Sequence, residues 1–188
     1  MPEFSRLCHP DHSVLLVIDI QERLASAMPK EDLERLIKNT SILMQAARHL
    51  DIPVLSTEQY PKGLGNTLPE IRQHYPDEVN CLHKTGFSCC AAEGFTERLS
   101  RFNRKQVVLT GMETHICVLQ TATELQDNGY NVFVAEDAVC SRSARRMQNG
   151  LARMRQMDIM ITHSESVLFE WLRDARHPQF KTVSSLLK

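Results

Sequence analysis

The sequence contains no run of about 18 apolar residues, so no segment reads as a helix long enough to cross a bilayer. It also lacks an excess of either charge. Its 22 basic and 23 acidic residues are intermixed and leave a formal net charge of -1, which removes the electrostatic case for nucleic acid or an anionic membrane as partner. Aromatic residues make up 6% of the chain and do not interleave with Arg142, Arg145, Arg146, Arg153 and Arg155, so that cluster reads as a solvated helix face. No internal repeat, low-complexity tract or Pro/Gly/Ser-rich linker divides the chain. Met1 to Ser13 is polar rather than basic and then apolar, which leads us to expect a cytoplasmic protein.

What remains is enough to fold. With 188 residues, 42% of them hydrophobic, the chain can build its own core, and one domain spanning 1–188 is expected. Its six cysteines, Cys8, Cys81, Cys89, Cys90, Cys117 and Cys140, are not needed as staples at this size and are read as reduced thiols. The adjacent Cys89-Cys90 pair has no second pair at metal-ligand spacing and reads as core packing.

Val14-Leu15-Leu16-Val17-Ile18 is a short continuous apolar run ending in Asp19, the signature of a strand buried on both faces. Similar runs occur at Pro53 to Leu55, Gln106 to Thr110, Asn131 to Ala135 and Asp158 to Thr162, with a shorter one at Glu78 to Leu82. Between them, apolar residues recur at three- and four-residue spacing: Leu33, Leu36, Ile37, Leu43, Met44 and Ala47 mark a long helix. A second helix runs from His115 to Asp127, and a third carries Ala144, Met147, Leu151 and Met154, with Ser141 or Ser143 as its cap. Strands alternating with helices predict an α/β fold, a three-layer αβα sandwich around a parallel, Rossmann-like sheet of about six strands. Glu58 to His83 is the longest irregular stretch, a candidate cover for a pocket.

Ligands of such sheets bind beyond the carboxyl ends of the strands. Asp19 terminates the first strand there, although a helix-capping or turn role explains it equally well. Cys117 follows the strand ending at Thr110 and falls in the first turn of the next helix. There, free backbone N–H groups and the helix dipole are expected to lower the thiol pKa and to hold an oxyanion. A buried thiol acting as small core filler is the competing reading. Lys84 is either an ordinary solvated lysine or, if it meets Cys117 and Asp19, a cation that orients the carboxylate and steadies the sulfur. Gln21, Gln59, Tyr60, Phe87, Thr114 and His115 flank these three positions and are candidates to line a pocket.

Taken together, these segments resemble the isochorismatase-like cysteine hydrolases. Leu16-Val17-Ile18-Asp19-Ile20-Gln21 is similar to the family's first-strand motif, His83-Lys84-Thr85-Gly86-Phe87-Ser88 to its lysine segment, and Gly111-Met112-Glu113-Thr114-His115-Ile116-Cys117-Val118 to its nucleophile turn. Thr57 to Gly65 and Asp174 to Lys181 look most like the isochorismatase domain-containing subgroup found in animals and bacteria. The resemblance implies that Asp19 deprotonates Cys117, which attacks an amide carbonyl and forms a thioester. It also implies a cis peptide at Met112-Glu113, aiming the Glu113 and Cys117 N–H groups at one oxyanion.

Nicotinamidases of this superfamily hold a divalent metal through an aspartate and histidines after the second strand. Leu55-Ser56-Thr57-Glu58-Gln59-Tyr60 offers no such set, so no metal and no cofactor are expected, and nicotinamide is disfavoured as substrate. True isochorismatases cleave a vinyl ether without the cysteine, so Cys117 argues against that reaction too. The expected partner is a small-molecule substrate, with homo-oligomerisation (dimer, tetramer or larger) implied by the family and Asp174 to Lys188 as a candidate interface. The alternative is an inactive scaffold acting through assembly or protein partners. A third reading, a peroxide-sensing thiol, needs a resolving cysteine beside Cys117, with Cys140 and Cys81 as candidates.

Overall fold

The computed structural model describes residues 6–76 and 80–188. Six parallel strands form one sheet: β1 (Ser13–Ile18), β2 (Val54–Gln59), β3 (Asn80–Lys84), β4 (Gln106–Met112), β5 (Asn131–Cys140) and β6 (Met160–Thr162). Their spatial order is β3-β2-β1-β4-β5-β6, so the winding reverses between β1 and β4. In open α/β sheets ligands bind at such a reversal, outside the carboxyl ends of the strands.

Alternate side chains of β1 serve opposite layers. Leu15 and Val17 pack with Leu36, Leu43 and Met44 of the helix Lys30–His49 and with Trp171 of the helix Ser164–Leu172. Val14, Leu16 and Ile18 pack with Phe95 and Leu99 of Phe95–Arg101, Leu119 and Leu125 of Leu119–Asp127, and Leu151 and Met154 of Ala144–Gln156. This is the α/β three-layer architecture expected from the strand-helix alternation. Among the described residues no helix is long and apolar enough to cross a membrane.

Several boundaries differ from the sequence reading. β2 and β4 run past their apolar cores through Gln59 and Met112. β5 continues through Glu136 and Asp137 because both charges find partners. Glu136 meets Arg155 at 2.6 Å, while Asp137 accepts from the Ser164 N–H at 2.8 Å and from its hydroxyl at 2.5 Å. β3 starts at Asn80; Glu78 and Val79 of the expected strand lie outside the described residues. The stretch read as irregular holds two one-turn helices, Pro61–Leu64 and Pro69–Arg72, each with proline in its first turn, where the missing N–H costs nothing. The helix expected from His115 begins instead as a π-turn, Thr114–Val118, before Leu119–Asp127. Ser143 caps the helix Ala144–Gln156 through the Arg146 N–H, whereas the Ser141 hydroxyl turns to His115.

One glycine is dictated by close approach. Gly111 sits in β4 beside Ile18 with φ at 117°, and a Cβ there would lie 2.0 Å from the Ile18 carbonyl oxygen. Gly111→Ala therefore combines a disallowed backbone with a clash against β1, and is expected to cost about 3 kcal/mol. The midpoint of urea denaturation, compared at equal slope, measures it.

Candidate active site

Asp19 leaves β1 with φ at 51°, a left-handed conformation that aspartate tolerates better than most residues. The turn places its carboxylate beyond the end of β1, where it is wholly buried. Oδ2 receives the Lys84 ammonium at 2.6 Å and Oδ1 accepts from the Thr57 hydroxyl at 2.8 Å. Lys84 arrives from the end of β3, with β2 lying between it and β1. It also donates to Gln59 Oε1 at 2.8 Å, to the Phe87 carbonyl at 2.9 Å and to the Gly86 carbonyl at 3.3 Å. Burial is the largest single influence on Lys84 and would lower its pKa, but the charge and hydrogen bond of Asp19, together with the nearby cysteines, outweigh it and hold the ammonium above the ordinary lysine value.

Cys117 occupies the π-turn after β4, 5% exposed, with its thiol close enough to the Asp19 carboxylate for each to shift the other's pKa. The three residues singled out from sequence thus meet on one carboxylate. The thiol itself behaves contrary to expectation. Burial first, and the Asp19 charge second, push its pKa up to about 12 despite the pull of Lys84. The resting sulfur is a protonated thiol beside a carboxylate. Burial also raises the Asp19 pKa above the usual carboxylate range, although Lys84 and the hydroxyl of Thr57 oppose it.

The flanking candidates divide sharply. Gln21 is fully buried and its amide is consumed as a strut: Oε1 accepts from the Gln59 N–H at 2.7 Å, and Nε2 donates to the Gln59 and Gly65 carbonyls at 3.0 and 2.7 Å. Gln59 is likewise committed, holding Lys84 through Oε1 and the Thr85 carbonyl through Nε2 at 2.7 Å. Neither amide is left over for a ligand. Tyr60 and Phe87 are each 54% exposed, so neither plugs the site, and Tyr60 borders an open groove of about 440 Å³ with Lys62, His83 and Thr85. His115 bonds the Ser141 hydroxyl at 2.9 Å and faces a separate groove with Arg145 and Arg146. The Thr114 hydroxyl is buried with no hydrogen-bond partner among the described residues.

Three contributors escaped the sequence reading. Thr57 has an unremarkable place in a strand, yet its hydroxyl touches both Asp19 and, at 3.5 Å, the Cys89 sulfur. Cys89, read as core filler, is buried beside the Asp19–Lys84 pair, which makes it the second thiol of this neighbourhood. Cys140, considered as a resolving partner, packs in the hydrophobic layer on the opposite side of the sheet from Cys117. Arg142, assigned to a solvated face, donates through its backbone N–H and Nε, each at 3.0 Å, to the Glu113 carboxylate and so braces the π-turn that carries Cys117. The Met112-Glu113 peptide is cis.

The sequence pattern of the isochorismatase domain matches residues 13–166. Isochorismatase domain-containing protein 2 of Xenopus laevis is 39% identical over 93% of this chain and 83% of its own length. Among solved structures, the MAR1 ribonuclease of Caenorhabditis elegans superposes with a TM-score of 0.90 at 36% identity, covering 96% of this chain and 92% of that one. The YcaC gene product of Escherichia coli, an octameric hydrolase of unknown specificity, superposes at 0.88 with 22% identity over 96% and 89% of the two chains.

Proposed function

The chain belongs to the isochorismatase family of hydrolases, and from that premise we propose that it is a metal-independent cysteine hydrolase of small amides or related C–N bonds. The observation carrying this reading is the buried carboxylate of Asp19, paired with the Lys84 ammonium at 2.6 Å and near enough to the Cys117 thiol to raise its pKa.

Asp19 accepts the thiol proton as the sulfur bonds to the substrate carbonyl carbon. The oxygen that gains the electron pair is held by the Glu113 and Cys117 N–H groups. The C–N bond then breaks, the leaving nitrogen takes the proton from Asp19, and a thioester remains. Water, giving its proton to Asp19, attacks that thioester and releases the acid, and the sulfur is reprotonated. Lys84 keeps its proton throughout and holds the carboxylate in place. Each proton has a carrier within the chain, so the scheme needs no cofactor.

Iodoacetamide alkylation of Cys117, followed by peptide mass, tests the activation. A thiol deprotonated by Asp19 reacts while Asp19 is ionised. The rate should therefore fall as pH drops through the Asp19 titration, which lies above the ordinary carboxylate range. Asp19→Asn should slow it about 100-fold near neutrality. A pre-formed thiolate would behave oppositely, because removing a negative neighbour favours the anion. Faster alkylation in Asp19→Asn would overturn the assignment.

A second reading, a scaffold acting through assembly, draws on the octameric state of the Escherichia coli relative. The open flanks at Tyr60 and Phe87 favour a working site instead. The ribonuclease relative makes RNA a necessary arm of any substrate screen. Burial of all three reacting residues favours a small molecule over a polymer.

A further inference from the structure

The opposite face of the β2–β3 edge carries a second cluster that the hydrolase chemistry does not use. In parallel register Ser56 faces Cys81 and Glu58 faces His83, so the side chains of Glu58, Cys81 and His83 project together, away from the face bearing Thr57, Gln59 and Lys84. One carboxylate oxygen, the thiol sulfur and one imidazole nitrogen lie within 4.8 Å of one another. We propose that Glu58, Cys81 and His83 form a binding site for a single zinc-type divalent cation, distinct from the catalytic centre.

The donor set is the first argument. Thiolate, imidazole and carboxylate together suit Zn²⁺, which takes four tetrahedral ligands. Metal–N and metal–O bonds of about 2.0 Å on a tetrahedron separate the two donors by about 3.3 Å, and His83 Nε2 lies 3.3 Å from Glu58 Oε2. Support around the ligands is the second. Glu58 is buried, and its Oε1 is fixed by the Thr67 N–H at 2.7 Å and the Thr67 hydroxyl at 2.8 Å, leaving Oε2 to face the cluster. The Ser56 hydroxyl reaches the Cys81 sulfur at 3.8 Å and is itself held by Tyr75. Such partners fix the orientation of metal ligands. Access is the third: the His83 side chain is two-thirds exposed, so an ion can enter and a water can complete the fourth position. On binding, the Cys81 proton is released to solvent and the sulfur bonds the ion as thiolate.

The experiment uses the full chain without a histidine tag, reduced and stripped with chelator, then titrated with Zn²⁺ against a chromophoric competitor and separately with Co²⁺. One equivalent of Zn²⁺ is expected to bind, and Co²⁺ to develop the near-ultraviolet thiolate charge-transfer band of a cysteine-ligated tetrahedral site. His83→Ala, a change on the surface, should weaken Zn²⁺ at least about 100-fold. Cys81→Ser should abolish the cobalt band, while Cys117→Ala leaves band and affinity unchanged. Absence of stoichiometric uptake would leave only the Glu58–His83 contact and overturn the proposal. A band that survives Cys81→Ser but vanishes in Cys117→Ala would overturn it as well, by placing the metal at the catalytic thiol.

Discussion

Cys117→Ala is expected to reduce turnover of any amide substrate by at least about 10⁴-fold, because every covalent step of the proposed cycle passes through that sulfur. The fold should survive. The side chain is small, the substitution removes one sulfur from the layer formed with Val118 and Leu119, and the cost should be about 1 kcal/mol. Ammonia release across a panel of primary amides, read beside the thermal midpoint, separates the two effects. Substantial residual turnover in a well-folded variant would mean that water, not sulfur, is the nucleophile.

The second large effect concerns stability rather than rate. Lys84 and Asp19 form an ion pair whose side chains have no solvent exposure. A charge stranded in such a place loses its hydration without compensation, so removing one partner of a buried pair typically costs about 3–5 kcal/mol. Lys84→Met should show a loss of that size near neutral pH, where Asp19 would otherwise be ionised and alone. The double variant Asp19→Asn/Lys84→Met should recover most of it, since neither charge then has to be buried. Chemical denaturation of the four proteins gives the coupling directly. If the single variant loses less than about 1 kcal/mol, water reaches the pair and the site is wetter than its geometry indicates.

The main layout of this protein is legible in its sequence because a parallel sheet buried on both faces demands continuous apolar strands, and Val14 to Ile18 or Val107 to Leu109 have few other uses. The meeting of Asp19, Lys84 and Cys117 was legible for a related reason. Polar residues placed just after such strands have one edge of the sheet to occupy. The supporting shell was not. Thr57, Gln21 and Arg142 act through contacts with residues 38, 38 and 29 positions away, and nothing in their immediate neighbours announces it. The thiol's electrostatics were misread because proximity to a helix start is visible along a chain, whereas the depth of burial that overrides it is not. The Glu58, Cys81 and His83 cluster was hidden for the same reason, since only strand register brings position 58 alongside 81 and 83.

Lys84 and Asp19 stand on strands separated by β2, about 9.6 Å apart at ordinary strand spacing, and Thr57 and Gln59 of β2 fill the interval between them. Their separation is therefore counted in whole strands and whole residues of register. A sliding error would come in steps of about 3.3 Å, too large for either hydrogen bond to follow. On heating, the Asp19–Lys84 pairing and the sheet should therefore disappear in the same transition.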